Sequence, residues 1–213
     1  MFAITALVSL SAQATIVEFE TSQGKIKVNL FDQGTPKTVE NFLSYVNDGS
    51  YNQTIIHRSI NDFIIQGGGY RYDGSALVEV DSNPTVINEP VYSNVTGTIA
   101  MAKKSSGVNS ATNQWFFNIN DNASNLDLQN GGFTAFGQVI EGMEILTAIS
   151  GLVHCNETPM TYSSTAQCSD GTVPGMESYV SITNIDIVDA SPVTLGGLTP
   201  VKNSLINVKD DVS

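Results

Sequence analysis

From residue 15 the chain reads TIVEFET, breaks at Ser22-Gln23-Gly24 and resumes as GKIKVNLF, two runs in which apolar and polar residues alternate. A period of two puts every second side chain on one face of an extended strand, so each run has one face to bury and one to leave wet. Together they read as a hairpin with one buried face. Short β-branched or aromatic runs recur at Thr54 to His57, Phe63 to Gln66, Thr98 to Ala102, Trp115 to Ile119 and Phe136 to Ile140, punctuated by Gly, Asn and Asp. A further alternating run, Tyr179 to Val188, carries Val180, Ile182, Ile185 and Ile187. Two stretches have helical spacing instead. In the first, Thr35-Pro36 supplies an N-cap and a first-turn proline, Val39, Phe42, Leu43 and Val46 share a face, and Gly49 closes the end. The second runs from Glu141 to Ile149, with Met143, Ile145, Leu146 and Ile149 apolar. Many short strands with two helices predict a mainly β fold, a barrel whose ends the helices plug.

The 213 residues, 41% of them hydrophobic, suffice for one core and one domain. Acids outnumber bases 21 to 9, for a formal charge of −12. Such a surface repels polyanions, which argues against nucleic acid and anionic membranes as partners. The first fourteen residues, MFAITALVSLSAQA, form an apolar run ending in the Ala-Gln-Ala spacing of a secretory cleavage site, with no Lys or Arg ahead of it. Cleavage after Ala14 would start the mature chain at Thr15 and place it in the periplasm; otherwise the segment is ordinary structure and the protein stays in the cytoplasm. No other segment has the roughly 18 apolar residues that span a bilayer. Residues 190–213 read as a poorly ordered polar tail.

Cys155 and Cys168 lie close together in a polar loop, an arrangement that favours a local disulfide in an oxidising compartment. Its closure is worth about 3 kcal/mol in a chain-entropy treatment. A metal site using His154 competes with this reading but lacks a fourth ligand and the C-x2-C spacing of structural zinc.

Three segments place polar groups among apolar strand residues. In IIHRSINDFIIQGGG (55–69), Ile56, Phe63 and Ile65 look core-directed, while His57, Arg58 and Gln66 need partners or a cleft. In MAKKSSGVNSATNQWFF (101–117), Gln114 and Phe116 lie two apart and share a face. In NLDLQNGGFTAF (125–136), Leu126 and Phe133 are apolar. One arginine, two glutamines and several rings can converge on one groove.

With these words the chain resembles the cyclophilins, the peptidyl-prolyl cis-trans isomerases, and most of all their bacterial exported members. The matching motifs are HRSINDFIIQGG (57–68), GTIAMA (97–102), the pair Gln114 and Phe116, and FGQVIEGME (136–144), in a resemblance spanning about residues 15–189. It implies an eight-stranded antiparallel barrel capped by two α-helices, acting on X-Pro bonds of unfolded or maturing exported proteins. Arg58 matches the catalytic arginine. Phe63, Ile64, Phe116, Leu126 and Phe133 match the proline pocket, and Gln66, Ala102, Lys103 and Gln114 match positions that hold or flank the peptide backbone. No nucleophile, metal or cofactor is required. The implied partner is a proline-containing peptide segment, met by a monomer without stable membrane association.

The sequence departs from the family in places. Asn125 stands where cyclosporin-sensitive eukaryotic members carry tryptophan and Phe133 where they carry histidine, so weak drug binding is expected. Lys103 replaces a common asparagine. Trp115, one residue out of phase with Phe116, should face the core. His57 reads as a structural hydrogen-bonding residue, and the cysteine loop as a local insertion outside the groove whose bridge should matter for stability rather than activity. A binding module that keeps the groove but isomerises poorly is the runner-up. A Ser-His-Asp hydrolase is disfavoured, because no G-x-S-x-G accompanies His57.

Overall fold

The computed structural model of the chain describes residues 15–105, 107–171 and 174–189; the expected leader, 1–14, and tail, 190–213, lie outside the described residues. In chain order the elements are β1 (Ile16–Thr21), β2 (Gly24–Leu30), α1 (Pro36–Asn47), β3 (Thr54–Ile55), β4 (Arg58–Ile60), β5 (Ile64–Gly67), β6 (Tyr70–Tyr72) and β7 (Leu77–Glu79). They continue with β8 (Thr98–Met101), β9 (Trp115–Asn118), α2 (Ala123–Leu126), β10 (Ala135–Glu141), α3 (Met143–Ser150), β11 (Val153–Cys155), β12 (Thr158–Met160) and β13 (Ser181–Asp189).

Eleven strands form one sheet in the order β4-β5-β9-β8-β10-β2-β1-β13-β3-β6-β7, and β11 and β12 form a separate hairpin. The expected strand at 54–57 is interrupted: β3 pairs with β13, then the chain crosses over so that β4 pairs with β5. That crossing links β4, at one end of the sheet, to β3, two strands in from the other end. Counting β3 and β4 as one interrupted strand, β5, β9, β8, β10, β2, β1 and β13 complete the ring of eight that the resemblance implied. The strands β6, β7, β11 and β12 and the short helix α2 are additions that the sequence pattern did not announce.

Alternation sorts the apolar side chains. Val17 and Phe19 of β1, Ile26, Val28 and Leu30 of β2, Ile65, Ile99, Met101, Trp115, Phe117 and Phe136 meet in the interior cluster. Their neighbours Ile64, Ala100, Phe116 and Ala135 form a second cluster with Leu126, Phe63, Tyr92, Ala102 and Phe133 on the other side of the wall. Phe63 therefore departs from the expectation that it faces the core, because the chain turns before β5 begins and lays the ring on the outer face. Trp115 faces inward as expected and is fully buried, edge-on to Phe19 and Phe117. The glycine run beside it is a matter of space. A Cβ on Gly68, where φ is +80°, would come within 2.6 Å of the Asn113 carbonyl oxygen and 2.8 Å of Trp115 Nε1.

Along β13 the buried positions shift phase, from Val180 and Ile182 to Ile185. Ile182 pairs with Thr21 and Asn184 with Glu20, leaving Thr183 as an extra residue, a bulge that flips the inward side. The bulge thereby keeps Ile185 and Ile187 opposite the core residues Phe19 and Val17, although Ile187, near the end of the strand, is still 38% exposed.

Helix α1 buries Thr38, Val39, Phe42 and Tyr45 against the interior cluster, with Leu43 and Val46 partly buried. Thr35 precedes the helix as expected but does not cap it; its hydroxyl donates back to the Phe31 carbonyl. The cap comes from Glu89, whose carboxylate accepts from the Lys37 and Thr38 backbone N–H groups and from the Thr38 hydroxyl at 3.2, 2.8 and 2.7 Å. Helix α3 starts two residues later than expected, since Glu141 still belongs to β10 and the chain turns at Gly142, φ +90°. Leu146 and Ile149 then face the interior. Among the described residues no helix is long and apolar enough to cross a membrane.

Candidate active site

Strand pairing builds the floor of a groove. Arg58 on β4 stands opposite Gln66 on β5, Gln66 opposite Phe116 on β9, Phe116 opposite Ala100 on β8, and Ala100 opposite Ala135 on β10. Paired residues share a face, so this row runs across five strands on the outer wall, polar at one end and apolar at the other. Above it lies a pocket of about 340 Å³ lined by Arg58, Phe63, Ile64, Gln66, Ala102, Lys103, Phe116, Asn125, Leu126, Gln129 and Phe133. Nine of the ten groove residues expected from the sequence line it. The tenth, Gln114, accepts a 2.8 Å hydrogen bond from Gln66 Nε2 and lines an adjoining polar recess with Lys104, Ser110 and Thr112.

Phe116 and Phe133 meet edge to face at 5.8 Å, a preferred aromatic geometry that fixes two sides of the pocket. A buried asparagine network holds the third. The backbone N–H and side-chain amide of Asn94 both donate to Asp127 Oδ1 at 2.9 Å, just past α2. The amide also reaches the Phe133 carbonyl at 2.9 Å. Asn122 donates to the Phe63 carbonyl and to Asn118, which donates in turn to Thr98 and Asn94. Side chains remote in sequence thus tie Phe63, Leu126 and Phe133 to the wall. Each is a buried polar group with its partner, the condition for such a network to stabilise rather than weaken the fold.

Lys103 is turned into the rim. Its ammonium donates to the carbonyls of Asn130 and Gly132 at 2.8 and 2.6 Å and sits 4.9 Å from the centre of the Phe133 ring. Desolvation pulls its pKa down to about 8. Asn125 lies on α2 at the opposite rim, where its side-chain oxygen accepts from the Gln129 amide. Gln129 had no signal in the sequence, because only the short helix and the turn after it bring it to the pocket.

At the polar end, Arg58 Nη1 lies 3.4 Å from Gln66 Oε1, and Arg58 Nε donates to Glu157 Oε2 at 2.7 Å. Glu157 belongs to the β11–β12 hairpin, in the cysteine loop that the sequence reading set apart from the groove. Cys155 and Cys168 are joined there, with Cα atoms 5.4 Å apart. No group of three or more potential metal ligands occurs among the described residues.

His57, beside Arg58, packs edge-on to Tyr70 at 5.0 Å. Burial drives its pKa down from 6.5 to about 4, partly offset by a hydrogen bond with Gln114 and reinforced by the neighbouring Arg58 charge.

The family model described as cyclophilin type peptidyl-prolyl cis-trans isomerase/CLD matches residues 16–168. Among curated relatives, peptidyl-prolyl cis-trans isomerase A of Dickeya dadantii is 43% identical over 143 residues, 64% of this chain and 72% of that one. Peptidyl-prolyl cis-trans isomerase B of Escherichia coli is 38% identical over 143 residues, 64% of this chain and 85% of that one. Among solved structures, a Cryptosporidium parvum cyclophilin type isomerase determined in the presence of the dipeptide Ala-Pro superposes with a TM-score of 0.60, covering 82% of this chain and 99% of that one at 24% identity. That likeness speaks for the fold.

The His57 environment has a consequence for stability. Above pH 6.5 the imidazole is neutral in folded and unfolded chains alike; as pH falls from 6.5 toward about 4, the unfolded chain binds a proton that the folded chain refuses, so stability is lost. The urea midpoint of His57→Gln is expected to fall less than that of wild type between pH 7 and 5. Equal falls contradict the assignment. With its barrel wall, its groove and its match over most of the chain, the protein belongs to the cyclophilin family and is a cyclophilin-type peptidyl-prolyl cis-trans isomerase.

Proposed function

We propose that Arg58 is the catalytic residue, and that the pocket of Phe63, Ile64, Phe116, Leu126 and Phe133 takes the proline ring of a peptide segment. The observation that carries this reading is the position of the guanidinium, which lines an otherwise largely apolar pocket and is held there by Gln66 and Glu157. A volume of about 340 Å³ suits a small group with its flanking backbone.

Rotation about an X-Pro bond must break amide resonance, at a cost of about 18–20 kcal/mol. As the bond twists, the nitrogen lone pair localises and becomes a hydrogen-bond acceptor. A guanidinium donor placed at that nitrogen gains strength only in the twisted state, which is what lowers a barrier rather than merely tightening binding. A charge-assisted bond of about 1.5–3 kcal/mol supplies roughly tenfold to a hundredfold. The remainder falls to the pocket, where low polarity strengthens the bond, and to contacts by Gln66, Ala102, Lys103 and Gln114 that hold one side of the peptide while the other turns. His57, neutral near pH 7, is not needed as an acid or base.

Arg58→Ala is expected to keep its fold and bind peptide, while protease-free isomerisation of a proline peptide falls at least about tenfold. An unchanged rate would sink the mechanism. In the same assay cyclosporin at nanomolar concentration should not inhibit, because the rim carries Asn125 where sensitive members present an indole; potent inhibition contradicts that alignment.

The clients proposed are unfolded or maturing exported proteins in the periplasm, met by a monomer away from nucleic acid and membranes. The leader-like residues 1–14, the joined cysteines and the charge of −12 support this. Native protein should begin at Thr15 with both thiols closed to alkylation. A chain that keeps Met1 and alkylates at Cys155 and Cys168 contradicts export.

A further inference from the structure

We propose that Glu157 is a positioning residue for the catalytic arginine, carried to the groove by the disulfide-bridged hairpin. The inference rests on the reading of Arg58 given above. The hairpin docks on the arginine's own strand: Ser59 N–H donates to the Glu157 carbonyl at 2.6 Å, and the Thr158 hydroxyl donates to the His57 carbonyl at 2.9 Å. These two bonds bracket Arg58 in sequence and fix the turn beside it. The carboxylate then accepts from Arg58 Nε, a contact 0.7 Å shorter than the 3.4 Å one between Nη1 and Gln66.

The backbone of the turn points the same way. Asn156 and Glu157 both have positive φ, 51° and 69°, the geometry of a two-residue hairpin turn that favours Asn and Gly. Asn156 suits it. Glu157 does not, and a non-glycine residue held in the left-handed region carries a local cost that a functional contact can offset. The carboxylate is the feature a relaxed glycine would lack. The cysteines brace the same hairpin: Cys155 ends β11, two residues before Glu157, and the bridge pins the turn at Thr165–Cys168 against that strand. The far side is tied by Thr161 N–H to the Ser178 carbonyl at 2.9 Å.

Two effects oppose each other at Arg58. A carboxylate partly neutralises the guanidinium and so weakens its pull on the prolyl nitrogen. It also removes rotamer freedom from a long side chain that must present one edge to the substrate. With side-chain exposures of 35% for Arg58 and 55% for Glu157, solvent screens the first effect, and orientation wins. The Nε edge is engaged by the hairpin and the Nη groups are left to the groove.

The test uses the full oxidised protein and one proline tetrapeptide. Glu157→Ala should lower kcat about threefold to tenfold with little change in KM or melting temperature. Glu157→Gln, whose amide oxygen still accepts from Nε, should restore at least about half of the wild-type kcat, in keeping with a hydrogen bond that fixes orientation. The Arg58 Nε–H resonance should shift in the first variant far more than in the second. In an Arg58→Ala background Glu157→Ala should do nothing further, as expected when both act through one contact. Replacing both cysteines by serine should cost no more than Glu157→Ala, and nothing once Glu157 is gone. A fully active Glu157→Ala protein, a loss appearing only in KM, or a loss that persists without Arg58 overturns the inference. A fully active Arg58→Ala protein instead overturns the mechanism on which it rests.

Discussion

Successive side chains on a strand point to opposite faces, so β5, β8, β9 and β10 must satisfy two apolar environments at once. Ile65, Ile99, Met101, Trp115, Phe117 and Phe136 fill the interior, and Ile64, Ala100, Phe116 and Ala135 make the floor of the groove. Fold and site therefore share one register. A slip of one residue in β9 would bring Phe116 and Asn118 inside and push Trp115 and Phe117 out, losing both core and pocket together. Burying side chains of that size contributes about 1.5–3 kcal/mol each, and a displaced indole would meet the glycine-lined space at Gly67 and Gly68 no longer. The groove is in this sense the back of the core.

What the pleat does not supply is rigidity on the open side. A pocket wall made of a four-residue helix and a loop has little structure of its own, since so short a helix is not stable alone. The buried amides of Asn94, Asn118 and Asn122 with Asp127 take that role on the apolar side. The β11–β12 hairpin takes it on the polar side, with Glu157 against Arg58. The floor residues Arg58, Ile64, Gln66 and Phe116 sit on strands, whereas the rim rests on loops held from a distance, an arrangement that suits the proposed grip on one side of a turning bond.

Legibility in the sequence followed range. The strands of the ring and both long helices could be read because alternation and helical spacing are local signals. The ten groove positions could be read because ordered motifs carry them, and all ten converge. The misreadings arose where a long-range contact decided the outcome. Glu89 replaces Thr35 as the cap of α1 from fifty-four residues away. The turn before β5 sends Phe63 outward. Glu157 left no trace, since nothing local says that a turn in a polar insertion will lie against the arginine of β4. The expected leader at 1–14 and the expected tail from 190 fall outside the described residues.

The central claim is that Arg58 acts as a directed donor that strengthens in the twisted state, rather than as a positive charge that attracts peptide. Arg58→Lys keeps the charge and discards the planar fork of donors, so it separates the two. The direct measurement is the cis-trans exchange rate of a saturating proline peptide on the enzyme, taken from NMR line shapes alongside its Kd. The account predicts that the lysine variant exchanges the bound peptide at least about tenfold more slowly while Kd moves by no more than about threefold. An on-enzyme rate equal to wild type, or a loss confined to Kd, would contradict it.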